Sequence, residues 1–154
     1  MTDTVVSVLD RPEWINPLYG TITSLFGNRI NPVTMSPEFH NGLDIAVPEG
    51  TPVLSVRYAT VYHVGYSPLN GKYMRLRCDS GYHIVYAHLS AFLANLNDRV
   101  AQGDIVALSG NTGQSTGPHL HYGLSREGQR LDPITRVYGL SKTQSAAAEY
   151  ARRQ

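Results

Sequence analysis

An antiparallel all-β fold with a short C-terminal helix is what this 154-residue sequence predicts, and three features predict it. From Leu18 to Leu124 the chain is a succession of short β-branched and aromatic segments broken by Gly, Pro, Asn and Asp. Asp79-Ser80-Gly81 sits between two such segments as a tight turn, which pairs them antiparallel. Helical periodicity is confined to the tail, apart from a short helical turn predicted within 89–96. Residues 1–16 read as an N-terminal extension, 17–139 as the domain and 140–154 as a helical tail. Within the domain, strands are predicted at 52–56, 59–66, 73–78, 82–89 and 104–108. In the tail, Ser141 and Gln144 have the spacing of a capping box, and Ala146-Ala147-Ala148 is a strong helix former.

Composition bounds the class of function. With 42% hydrophobic and 16% charged residues the chain can bury a core of its own, and its single cysteine, Cys78, has no internal partner for a disulfide. A net charge of +1, from 13 basic and 12 acidic side chains, gives no broad basic face, so no nucleic-acid partner is expected. The apolar runs are far shorter than the roughly 20 residues of a membrane span, and no secretion leader is read at the start.

Chemistry concentrates in the histidines, at 40, 63, 83, 88, 119 and 121. His119-Leu120-His121 on a strand projects two imidazoles to one face while Leu120 points into the opposite layer. His40 and Asp44 flank Asn41-Gly42, a turn signal expected to use the positive φ that glycine tolerates, and a fold-back there gathers a nitrogen and a carboxylate on one centre. One nitrogen of the His-x-His pair completes three protein ligands, the set of a zinc site that keeps a position open for water. Spacing does not say which of the pair binds. His88 ends the strand that starts near Tyr82; regular alternation puts it with Ile84 and Tyr86 and places His83 on the other face. His63 and His83 read as partly exposed strand residues. The five glutamates, at 13, 38, 49, 127 and 149, include none fixed beside a ligand, and Glu38 alone is held in reserve for proton transfer. Spare histidines are better suited to it.

These pieces, in order, resemble the lysostaphin-type (LytM-like) zinc endopeptidases that cut peptidoglycan cross-links. The resemblance runs from about Ile22 to Pro133 and is carried by Phe26-Gly27-Asn28-Arg29, His40 to Asp44, Pro48-Glu49-Gly50-Thr51-Pro52-Val53, Tyr86-Ala87-His88-Leu89, Gly103-Asp104-Ile105-Val106 and the continuous stretch from Ser109-Gly110-Asn111-Thr112-Gly113-Gln114-Ser115-Thr116 to Gly117-Pro118-His119-Leu120-His121. It implies an antiparallel β-sheet groove walled by loops, with one Zn2+ per chain held by His40, Asp44 and His121, and His88 and His119 as the catalytic histidines. It further implies a bacteriolytic, cell-wall-degrading monomer acting on stem or bridge peptides of peptidoglycan, in the periplasm or outside the cell. Without a leader, delivery would be of phage type, through lysis, or by a leader missing from the chain. Activity is then expected to fall below about pH 6, where ligand and base imidazoles gain protons. Alternatives are a catalytically silent wall-binding or amidase-activating domain of the same fold, and a carboxypeptidase or amidase acting on the same polymer. The family's targeting domains have no counterpart here, and residues 31–39, in the expected groove wall, give no cleavage preference.

Overall fold

The computed structural model describes residues 12–31 and 33–154. Strands form where β-branched and aromatic residues alternate with polar ones, and they end at turn residues. In chain order they are β1 (Thr21–Ser24), β2 (Gly27–Ile30), β3 (Pro37–His40), β4 (Leu43–Ala46), β5 (Pro52–Leu54), β6 (Ala59–Ser67) and β7 (Gly71–Cys78). There follow β8 (Tyr82–Phe92), β9 (Arg99–Val100), β10 (Ile105–Ser109), β11 (His119–Arg126), β12 (Gln129–Leu131), β13 (Ser141–Lys142) and the helix α1 (Gln144–Arg152). The main sheet runs β13-β1-β4-β11-β8-β7-β6-β9, with β10 against β5 and β8, and β12 against β11; β2 and β3 form a separate hairpin. Its pairings are antiparallel except β1 with β13.

Alternation along the central strands separates a core from a working face. Leu120, Tyr122 and Leu124 of β11 lie opposite Ile45, Leu43, Tyr86 and Ile84 of the neighbouring strands, and all are buried. His119 and His121, which alternate with them, lie opposite Ala46 and Asp44 on the other face. Tyr86 is wholly buried yet satisfied: its hydroxyl donates to the Leu54 carbonyl at 2.8 Å and accepts from Val56 N–H at 3.2 Å. This side chain ties the central β8 to β5 and the residues just after it.

Several sequence expectations change. The Asp79–Gly81 turn is present as a short 3-10 turn, with Ser80 and Gly81 at positive φ, and β7 pairs antiparallel with β8 across it. No helical turn forms over 89–96 as a whole, because residues 89–92 continue β8 and pair with β10. The capping box at Ser141 does not form either. Ser141 is taken up by the ladder opposite Thr21, and Thr143 caps α1 instead, its side chain accepting from Ala146 N–H at 3.3 Å. The helix docks through buried Ala146 and through Tyr150, while Arg153 just beyond it donates to the carbonyls of Phe26 and Asn28. Of the stretch predicted as an N-terminal extension, residues 1–11 lie outside the described residues; Trp14 is buried, its ring edge-on to Tyr82 at 5.0 Å.

Candidate metal centre

Three strands deliver the site. β3 ends at His40, β4 carries Asp44 and β11 carries His121, which lies directly opposite Asp44 in the ladder. All three are buried. Asp44 Oδ1 lies 3.0 Å from His121 Nδ1 and 3.2 Å from His40 Nε2, and the two ring nitrogens are 3.2 Å apart. His40 Nδ1 is 3.0 Å from the Leu25 carbonyl, which only accepts, so Nδ1 carries the ring proton and Nε2 turns its lone pair inward. Lone pairs of a carboxylate and an imidazole are thus aimed at one point, an arrangement that a shared cation relieves. Nitrogen, nitrogen and carboxylate oxygen on that point form a donor set suited to zinc, with room left for water.

Burial would raise the Asp44 carboxyl, but the hydrogen bond from the His121 ring and the closeness of the His40 ring outweigh it and hold the group well below the usual carboxylate range. Burial likewise pushes His121 down, opposed by Asp44. Asp44 is ionised and His121 uncharged at neutral pH, the states metal binding requires. The second oxygen of Asp44 accepts from Arg29 at 3.1 Å, and Arg29 also bonds Ser24 Oγ and Glu38. Arg29 is a positioning residue whose role the motif Phe26-Gly27-Asn28-Arg29 did not reveal. Glu38, held in reserve as a proton carrier, is instead occupied by Arg29 and Asn31. Burial would raise its carboxyl, but those hydrogen bonds win and lower it, which suits a structural anion rather than an acid near neutrality.

His88 and His119 stand beside the cluster, their ring centroids 4.7 Å apart. Each spends Nδ1 on a backbone carbonyl: His88 on Thr112 at 2.7 Å, His119 on Gly117 at 2.8 Å. Each therefore keeps Nε2 as its lone-pair nitrogen, and that of His119 lies 3.8 Å from Asp44 Oδ1. His88 reaches this face against the predicted alternation, which would have grouped it with Ile84 and Tyr86 in the core. Its backbone is in the left-handed region at φ 61°, between register shifts in the ladders to β7 and β10, and this turns the ring into the groove. His63 and His83 stay outside the cluster: His63 is exposed beside Tyr73, and His83 is half-buried beside Tyr62.

Burial drives His88 down to about 4, against the pull of the Thr112 carbonyl. A histidine lowered from its ordinary 6.5 is uncharged in the fold while the unfolded chain takes a proton. Its contribution to stability is therefore complete above pH 6.5 and lost as pH falls toward 4. Urea unfolding of the metal-free protein is expected to show a loss of roughly 1 kcal/mol per pH unit in that window. His88→Gln should flatten the slope; an unchanged slope would assign it to other groups.

The Asn41-Gly42 connection works for a different reason than expected. Gly42 does not adopt positive φ; a Cβ there would lie 2.6 Å from His121 Cε1 and 2.7 Å from the Tyr122 carbonyl. Glycine is required by the close approach of the ring. Gly42→Ala is expected to shift His121 and weaken metal binding by about tenfold or more, read by competition with a chromogenic chelator. Equal affinity would show that the ring has room to move.

The groove above these residues encloses about 560 Å³ and runs between the β2–β3 hairpin and the Gln114–Pro118 loop. The wider Gly110–Pro118 connection, which lines the groove from Gln114 onward, also supplies the Thr112 and Gly117 carbonyls that orient His88 and His119.

The profile of Peptidase family M23 matches residues 38–133. An uncharacterized metalloprotease of Haemophilus influenzae is 44% identical over 109 residues, 70% of this chain and 23% of that protein. The peptidoglycan DD-endopeptidase ShyA of Vibrio cholerae is 41% identical over 106 residues, 69% of this chain and 25% of its own length. A zinc-containing peptidase from Vibrio cholerae superimposes with a TM-score of 0.66 at 32% identity, covering 77% of this chain and 39% of that one. The chain thus spans about a quarter of the length of these curated relatives.

Proposed function

The chain belongs to peptidase family M23, and from that premise we propose that it hydrolyses peptide cross-links of bacterial peptidoglycan as a zinc-dependent endopeptidase. The observation that carries this reading is the convergence of five side chains: a buried His40–Asp44–His121 donor set, and two imidazoles beside it with lone-pair Nε2 atoms. A catalytically silent domain would not need the second pair.

In this reading His40, Asp44 and His121 would hold one zinc ion, and residues 17–139 form the hydrolytic domain. The chemistry that zinc supplies there is Lewis acidity, which polarises the scissile carbonyl and acidifies the attacking water toward a pKa of about 7. Arg29 holds the second oxygen of Asp44 so that the first stays turned inward. An extended peptide lies along the groove, with the scissile carbonyl between the donor set and the histidine pair. The lone pair of one Nε2 accepts the proton of the attacking water, and the ring so charged donates it to the leaving amine. The Thr112 and Gly117 carbonyls, accepting from Nδ1–H of the two rings, hold them in place and steady the positive charge on whichever ring takes the proton. All five side chains come from one chain, so a monomer suffices. The site of action is the cell wall, as the name of the ShyA relative implies for that protein. Among the described residues no helix is long and apolar enough to cross a membrane.

Zinc-loaded protein incubated with purified cross-linked muropeptides and, separately, with free stem peptides tests the proposal by mass spectrometry. Cross-linked dimers should resolve to monomers, with loss of activity in a chelator and recovery on adding zinc. Trimming of free stems with dimers left intact would instead mark a carboxypeptidase.

A further inference from the structure

A second hollow of about 270 Å³ opens on the same face of the sheet, and the mechanism makes no use of it. Asn41, Asn70 and His121 line both it and the main groove, so the two are continuous across the metal centre. Beyond that junction its walls include Tyr62, Arg75, His83 and Arg130.

The charge of this region is one-sided. The strands β6, β7, β8, β11 and β12 contain no aspartate or glutamate, yet they carry Lys72, Arg75, Arg77, Arg126 and Arg130. Elsewhere Arg29, Arg57, Arg152 and Arg153 each meet a carboxylate within 4.0 Å. Arg75 and Arg130 are exposed and have no such partner among the described residues. The ladders place both on the working face: Arg75 opposite Val85, which lies opposite Gly123, and Arg130 opposite Ser125. A Cβ on Gly123 would lie 2.7 Å from Val85 Cγ1, so the floor between His121 and the arginines is kept low by the lack of a side chain.

We propose that this hollow is a subsite for a free carboxylate on the substrate peptide, held by Arg75 and Arg130 beside the rings of Tyr62 and His83. It rests on the peptidoglycan reading above, since peptidoglycan stem peptides carry such carboxylates. Two strand spacings and one side-chain repeat put the Arg75 Cα about 12 Å from that of His121. An extended peptide advances about 3.4 Å per residue, so the recognised carboxylate sits two to four residues from the scissile bond. Two guanidiniums on one carboxylate favour it through charge-assisted, fork-shaped hydrogen bonds that a neutral amide does not accept as well.

The test measures binding apart from turnover. Zinc-loaded wild type and Arg75→Gln/Arg130→Gln protein are titrated by calorimetry with a carboxylate-bearing stem peptide and with its amidated counterpart. Both substituted side chains are exposed and outside the proposed catalytic machinery. Wild type should prefer the carboxylate by about three- to tenfold, and the double variant should lose that preference while holding the amidated peptide unchanged. Equal affinity of wild type for both peptides overturns the subsite, as does a preference that survives in the double variant. Loss of affinity for both peptides alike would show a general contact surface and also overturn it. Because binding needs no cleavage, a protein that discriminates the peptides but fails to cut cross-links would refute the proposed reaction and leave the subsite standing.

Discussion

Asp44→Ala is expected to lose both its zinc and all measurable turnover. The carboxylate is the only anionic donor in the cluster, 3.0 Å from His121 Nδ1 and 3.2 Å from His40 Nε2. Without it two imidazoles remain, below the three protein ligands that catalytic zinc sites use. Affinity should fall by at least about a hundredfold, as expected when even an outer partner of a ligand can cost 10- to 100-fold. Zinc content after dialysis, measured by mass spectrometry of the metal, gives the direct reading. Removing Asp44 also leaves Arg29 with one carboxylate partner fewer, so circular dichroism should accompany the measurement to establish that the fold persists. A folded variant that keeps stoichiometric zinc would remove Asp44 from the ligand set.

His119→Ala should do the opposite, keeping zinc while losing catalysis. The ring sits 3.8 Å from Asp44 Oδ1 through Nε2, and its Nδ1 is committed to the Gly117 carbonyl, so it borders the donor set without belonging to it. Loss of a positioned general base or acid costs about 10²- to 10⁴-fold in rate. The drop should fall on kcat more than on KM, because the ring acts on a proton in flight rather than on the bound peptide. Reversal of the two metal readings, with zinc lost from His119→Ala and kept in Asp44→Ala, would exchange the proposed roles.

Cys78 offers a contrast with these reactive side chains. It is buried in the core, and burial pushes its thiol up to about 11, so it stays protonated and unreactive near neutral pH. The chain's one cysteine therefore has no part in the chemistry, in keeping with a site built from histidine and aspartate.

Much of the site was legible because its residue types are scarce and their spacing is local. His-x-His on a strand puts two rings on one face whatever the rest of the chain does, since side chains alternate with a period of two. The same rule misplaced His88, because positive φ at a non-glycine residue has no local signature; neighbouring strands impose it through the register shifts on either side. Glycine at position 42 was recognisable as special, but its reason, the His121 ring pressed against it, comes from a strand almost 80 residues away in sequence. Glu38 looked free in the sequence because the partner that occupies it, Arg29, meets it only when β2 pairs with β3.

By itself, then, the sequence determined the all-β architecture and the turn between β7 and β8, and it singled out His40, Asp44 and the His119–His121 pair as candidates, because alternation and turn composition act over a few residues; His88 was a candidate through the family resemblance. Tertiary structure alone decided that the nitrogen of His121 facing Asp44 is Nδ1, that the Leu25, Thr112 and Gly117 carbonyls set the other three rings, and that Arg75 and Arg130 share a face with the metal centre. Those outcomes depend on backbone carbonyls and ladder registers brought together from distant segments, and a backbone carbonyl is the same chemical group at every position of a sequence.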